Sequence, residues 1–219
     1  DGEVRRGFLV ITGDKGLAGG FNSNVINLAE SSLESAETDF VLTLGTIGWR
    51  YFLKQKYSII ENFKLSSKTP TVYDAKDISD FILAQYDHEV FDEFYIVYTR
   101  MHSSVKLVPE VLRVLPLDEK NFRRDAIDAR KSDSSLEYLP TPQAVFETLI
   151  PKYLSGVVYG AIVESFASEH SARMTAMDNA SKNAQEMLDG LQLLYNRSRQ
   201  SAITQEVTEI VAGAAALNV

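Results

Sequence analysis

The stretch Thr12-Gly13-Asp14-Lys15-Gly16-Leu17-Ala18-Gly19-Gly20-Phe21-Asn22 lies between a β-branched and aromatic run and a segment of helical period. Glycine-rich turns at such a junction can cradle phosphates, because the free backbone N–H groups of a helix start point at the anion. The residues here do not follow the known spacings. No Gly-Lys-Ser/Thr triplet follows at the phosphate-loop distance, and glycines at 13, 16, 19 and 20 do not make Gly-x-Gly-x-x-Gly. The stretch reads better as a tight turn with positive-φ positions, in which Asn22 or Ser23 caps the following helix.

Other candidates for chemistry are sparse. His88, His102 and His170 stand in separate segments with no second imidazole at metal-ligand spacing, so each reads as a surface or packing residue. Arg123-Arg124 and Arg197-Ser198-Arg199 are short basic spots that suit solvated faces. With no cysteine there is no thiolate nucleophile, cysteine zinc site or disulfide. The abundant Asp and Glu residues single out no acid/base couple. We therefore assign no catalytic residue, no cofactor and no metal. Lys and Arg number 22 against 30 Asp and Glu, a net charge of −8, which repels phosphate backbones and argues against a nucleic-acid partner. No apolar run reaches the roughly 18 residues of a membrane span, and the start, Asp1 to Gly7, has no signal-peptide core. The chain opens without Met and is read as a fragment with an upstream part out of view.

These residues must be carried by regular elements, and the composition changes near residue 132. Before it, strand-like runs at 8–12, 40–44, 57–63 and 93–101 alternate with helix-period segments at 21–35, 47–54 and 74–86. A turn at 102–104 leads into a second extended run, 105–115, whose Pro109 and neighbouring Pro116 suit a sheet edge. The order predicts an open, Rossmann-like α/β sheet with helices on both faces. Loops are expected at 66–70 and at a linker, 131–135 with Pro140 and Pro142, dividing a domain at 1–135 from a segment at 136–219.

After Pro142 apolar residues recur every three to four positions, from Phe146 through Leu154, Val158, Ile162 and Phe166, then as Ala172, Ala176, Ala180 and Ala184, then from Met187 to Leu217. This predicts one helix over 141–216, on the order of 110 Å long at 1.5 Å per residue, against a radius of gyration of about 17 Å for a globule of this size. Such a helix projects beyond the domain, and its apolar stripe needs a partner helix or a sleeve. The alanines fit either plain helix propensity or close approach of a neighbouring helix.

Two motifs far apart then agree. Asp14 to Asn22 resembles the turn after the first central-domain strand in the gamma subunits of F-type ATP synthases. Ile203-Thr204-Gln205-Glu206-Val207-Thr208-Glu209-Ile210-Val211-Ala212-Gly213-Ala214 is similar to that family's C-terminal signature, as are Ala167 to Met177 and Leu194 to Gln200 to family segments. The resemblance covers essentially the whole chain. It implies an α/β domain flanked by N- and C-terminal helices wound into an antiparallel coiled coil, of which the C-terminal helix here is one half. The N-terminal helix has no counterpart in these residues. Ala18 stands where many relatives carry Cys, so the thiol switch of chloroplast relatives is not possible.

For function the resemblance implies a non-catalytic rotor, the central stalk that transmits torque between a proton-driven membrane c-ring and a catalytic hexamer of alpha and beta subunits. Its α/β domain would also meet the epsilon subunit. The family's shaft contacts to the hexamer fall on Arg199, Gln200, Thr204, Glu206 and Glu209, with Arg173 lower down at a position linked to coupling. The implied place is the cytoplasmic side of a cell membrane, peripherally attached through the complex. The alternatives are an α/β phosphate- or nucleotide-binding enzyme with a helical oligomerisation arm, and an unrelated coiled-coil adaptor.

Overall fold

The computed structural model describes residues 4–35, 38–65, 69–104, 106–117 and 142–217. Arg123-Arg124, the expected linker at 131–135 and most of the 66–70 loop lie outside them. The elements follow as β1 (Arg6–Ile11), α1 (Phe21–Ser32), β2 (Asp39–Leu44), α2 (Thr46–Lys54), β3 (Ser58–Phe63), α3 (Val72–Asp87), β4 (Glu93–Met101), β5 (Leu107–Leu115) and α4 (Pro142–Leu217). The α/β order expected from the sequence is what forms.

One five-stranded sheet has the order β3-β2-β1-β4-β5. β1 pairs in parallel with β2 and β4, and β2 with β3, while β5 returns antiparallel to β4 through the short hairpin. Pro109, opposite Thr99, is on that edge strand, where a residue without an N–H leaves no central ladder bond unmade. β1 is the centre, and Gly7 to Ile11 are all buried. Because strand side chains alternate, its residues feed two cores. Leu9 and Ile11 pack with Ile78 and Ile82 of α3 and with Leu154, Val158 and Ile162 of α4. Phe8 and Val10 pack on the opposite face with Val25 of α1 and Phe52 of α2.

Local capping explains where the helices differ from the pattern of apolar residues. α1 stops at Ser32 and not at Ser35, because the N–H groups of Glu34 and Ser35 donate to the Asp39 carboxylate at 2.7 and 3.2 Å. α3 starts two residues early, at Val72, where Thr71 and Asp74 form a reciprocal capping box. The expected cap of α1 is corrected by the structure. Gly20 is the N-cap and no side chain caps the helix; Asn22 Oδ1 instead accepts the Gly13 N–H at 2.8 Å, and Ser23 Oγ donates to the Gly20 carbonyl.

The chain divides into two compact units, Asp1–Met174 and Thr175–Val219. The first holds the sheet, its helices and the first half of α4. The second is α4 from Thr175 onward, and there Met187, Leu188, Leu191, Leu194, Ile203, Val207 and Ile210 are all more than half-exposed or at half. Its polar face carries pairs four residues apart, Asp178 with Lys182 and Gln205 with Glu209, which add a few tenths of a kcal/mol each to a helix. No helix of the described residues is long and apolar enough to cross a membrane.

Candidate functional site

Within the first unit, α4 crosses one face of the sheet and carries a line of polar side chains to the carboxyl edge of its strands. Below that edge the helix is held by apolar burial of Leu154, Val158, Ala161 and Ile162. Above it, hydrogen bonds take over. Ser168 Oγ donates to the Thr99 carbonyl at 3.3 Å, and Ser171 Oγ to the Ser104 carbonyl at 2.8 Å, tying α4 to the β4–β5 hairpin. Arg173 Nη2 donates to the carbonyls of Lys15 and Gly16 at 3.3 and 3.4 Å and to the Glu169 carboxylate, tying the helix to the glycine-rich turn. Glu169 lies where a side chain on Gly13 would be, since a Cβ built there would fall 2.6 Å from its Oε1.

The turn itself is shaped by these ties and by its neighbours. Gly19 (φ +55°) and, less expectedly, Leu17 (φ +64°) take the left-handed conformation. Leu17 is three-quarters exposed, so its backbone strain comes without burial of its side chain. Asp14 reaches across to α2 and accepts from the Thr46 N–H and hydroxyl at 2.9 and 2.8 Å, placing a carboxylate at the positive end of that helix. Burial, with Glu164 and Glu110 adding to it, pushes the Tyr98 phenol above its ordinary pKa and keeps it neutral.

A cleft of about 450 Å³ lies at this edge, between the turn, the ends of β2 and β3, and α4. Lys15, Lys64, His170 and Arg173 are among its lining residues, with Asp14 and Glu169. Among the described residues no group of three or more His, Cys, Asp or Glu is placed to hold a metal. His170 lies edge-on to Phe166 at 4.3 Å, His88 ends α3, and His102 lies 3.4 Å from Glu110.

Of the six residues singled out as shaft contacts, Arg173 falls in the first unit and is bonded as above. Arg199, Gln200, Thr204, Glu206 and Glu209 fall in the second and are exposed. Thr204 turns its hydroxyl back to the Gln200 carbonyl at 2.8 Å, and Glu209 accepts from Gln205 at 3.0 Å, so Arg199 and Glu206 offer the freest charged groups of the set. The sequence reading missed Ser165, Ser168, Ser171 and Glu169. Their signal was there: Ser165 and Ser168 continue the face of Val158, Ala161 and Ile162 at positions where an apolar residue was due.

A family model described as ATP synthase matches residues 1–217. The ATP synthase gamma chain of Acetivibrio thermocellus is 46% identical over 220 aligned residues, covering 98% of this chain and 74% of its own. That of Ruminiclostridium cellulolyticum is 46% identical over 215, covering 97% and 73%. The gamma chain of Acetobacterium woodii, named sodium ion specific, is 38% identical over 230, covering 99% and 76%. Among solved structures, the Euglena gracilis mitochondrial ATP synthase in an OSCP/F1/c-ring assembly gives a TM-score of 0.72 at 21% identity, covering 98% of this chain and 73% of that one. The fold is therefore shared where identity has fallen low. The match runs through both the glycine-rich turn that α4 grips and the exposed C-terminal stretch of that helix, and the chain belongs to the ATP synthase gamma chain family.

Proposed function

We propose that this chain is the central-stalk rotor subunit of an F-type ATP synthase and that it carries torque between a membrane c-ring and the catalytic alpha/beta hexamer without doing chemistry itself. The observation that carries the reading is the second unit: a helix with its leucines, isoleucines and methionines uncovered, on a chain with no transmembrane helix among the described residues. Apolar side chains in such a row are stable only inside a sleeve or against another helix. In this reading residues 1–135 are the central α/β domain and 136–219 the C-terminal half of an antiparallel coiled coil. The complex is membrane-bound, and this subunit lies peripherally on the cytoplasmic side, with epsilon against its α/β domain.

The physical requirement on such a shaft is unequal contact. It changes the affinity of a catalytic site only by interacting differently with that site's open and closed states. Small apolar residues toward the tip, Val211 to Ala214, would make contacts that do not depend on fixed hydrogen bonds and so can slide. Charged and polar groups from Arg199 to Glu209 would supply the directional part. Arg173, gripping the turn through two carbonyls, would hold the root of the shaft to the domain that meets the ring.

The purified chain is expected to hydrolyse no ATP. In the assembled complex, Arg199→Ala with Glu206→Ala is expected to weaken association with the hexamer by about thirtyfold or more, because removing one partner of a buried interface charge pair costs roughly 2 kcal/mol or more. ATP turnover by the chain alone, or full retention of affinity by the double variant, would count against the assignment.

A further inference from the structure

The cleft at the carboxyl edge of the sheet has features the rotor reading does not use. Its two carboxylates are already engaged: Asp14 with Thr46, and Glu169 with Arg173. Its cations are not. The side chains of Lys15 and Lys64 make no ion pair or hydrogen bond among the described residues, and Arg173 spends only Nη2, leaving its other donors without acceptors there. In a chain of net charge −8 this lining carries three cations against two carboxylates, Asp14 and Glu169.

A second, independent feature is Ser165 in the same lining. It is 1% exposed and its Oγ has no hydrogen-bond partner among the described residues. A buried helical serine normally returns its hydroxyl to the carbonyl four residues back, as Ser79 does to Ala75 at 2.6 Å. Ser168 and Ser171 on the same helix find carbonyls of β4 and of the turn after it. A buried hydroxyl left unmade costs about 1–3 kcal/mol, a cost that an acceptor entering the cleft would remove after a small rotation of the side chain.

We propose that this cleft binds a compact phosphate-bearing anion. Lys15, Lys64, Arg173, His170 and Ser165 line it from the turn, from the end of β3 and from α4. A tetrahedral oxyanion with several acceptor oxygens matches donors from three sides better than a planar carboxylate does. The cleft opens outside the carboxyl ends of the parallel strands β1, β2 and β3. The apolar part of the wall, Leu44, Leu65 and Phe166, leaves room for more than a bare phosphate. The proposal and the rotor reading do not depend on each other, so either can fail alone.

Calorimetric titration of the 219-residue chain at low salt tests it, with inorganic phosphate, pyrophosphate and ATP as separate probes. One saturable site is expected, with a dissociation constant at or below about 1 mM for the best of the three. Equal affinity for phosphate and ATP identifies free phosphate as sufficient, and tighter binding of ATP identifies a phosphorylated nucleotide; both support the site. Lys15→Gln and Lys64→Gln are expected to weaken binding about fivefold or more each. Ser165→Ala is expected to weaken it severalfold while leaving thermal stability equal or higher, since it removes an unsatisfied buried group. Lys76→Gln, on the outer surface of α3 and paired with Asp80, leaves binding unchanged. Absence of saturation with all three probes, or binding indifferent to Lys15→Gln and Lys64→Gln, overturns the proposal.

Discussion

Gly45→Ala is expected to unfold the α/β domain or leave it barely stable. Gly45 joins β2 to α2 with φ +97°, a conformation an alanine adopts only under strain, and a Cβ there would fall 2.1 Å from the Thr12 carbonyl oxygen. That oxygen belongs to backbone at the end of the central strand and cannot swing aside. The Thr12 N–H is bonded to the Leu44 carbonyl at 2.8 Å, and its hydroxyl both donates to that carbonyl and accepts the Gly48 N–H at 3.0 Å. Strain at such a backbone position costs about 1–3 kcal/mol, and forced overpacking another 1–3, against a total stability of about 5–15 for a typical domain. Gly16→Ala is the control. Among the described residues no atom lies within 4 Å of a Cβ added at Gly16, whose φ is not positive, and this variant should melt near the parent temperature. Equal melting of the two variants by circular dichroism would contradict this account of the turn.

The second large effect is expected at Asp39. It is fully buried and receives the Arg6 guanidinium in two bonds, of 3.0 and 2.9 Å, from its register partner on β1, together with two backbone N–H groups. Burial alone would push Arg6 down, but hydrogen bonds to Asp39 and Glu34 hold it above its ordinary value and keep it charged. Asp39→Ala leaves that cation and both N–H groups without their acceptor, and breaking a buried pair costs about 3–5 kcal/mol. Glu34, exposed and 2.7 Å from the Arg6 Nη1, offsets part of this and places the effect toward the lower figure. At roughly 2–4 °C per kcal/mol for a domain of this size, a fall in melting temperature of about 6–12 °C follows. Adding Arg6→Ala should recover part of it, because the stranded charge is then gone. A double variant no more stable than Asp39→Ala would mean that the pair is not what the carboxylate supports.

The two positions show what the sequence could and could not convey. Strands, helices and their order were legible because their periods are long and regular: Phe8 to Thr12 and Glu93 to Met101 are read as buried strands on side-chain type alone, and α4 forms over almost the span its stripe predicts. Gly45 was silent. Its need for glycine arises from the approach of Thr12, thirty-three positions earlier in the chain, and no local pattern encodes that. The glycine-rich turn drew notice, yet only Gly19 of its glycines needs a positive φ, while Leu17 bears the strain no pattern predicts. Asp39 and Arg6 carry no local signal of pairing in the sequence, and only the register of β1 on β2 makes them a buried pair.

The candidate site divides in the same way. Arg173 was reached through the resemblance, but what it grips, the carbonyls of Lys15 and Gly16, depends on how α4 crosses the sheet. Ser168 and Ser171 were passed over because a serine on a helix is usually unremarkable; their bonds to Thr99 and Ser104 exist only because the hairpin comes back to meet them. The residues of the second unit were legible as a motif, and in the structure they are exposed.

The most direct test is reconstitution. The chain, in its full-length form, is mixed with alpha and beta subunits, and co-purification and ATPase activity are compared with a variant ending after Arg199. The account predicts a stable complex whose turnover depends on the chain, and loss of both when the residues from Gln200 onward are removed. A complex that forms and turns over equally well without them would contradict the claim that this helix is the shaft.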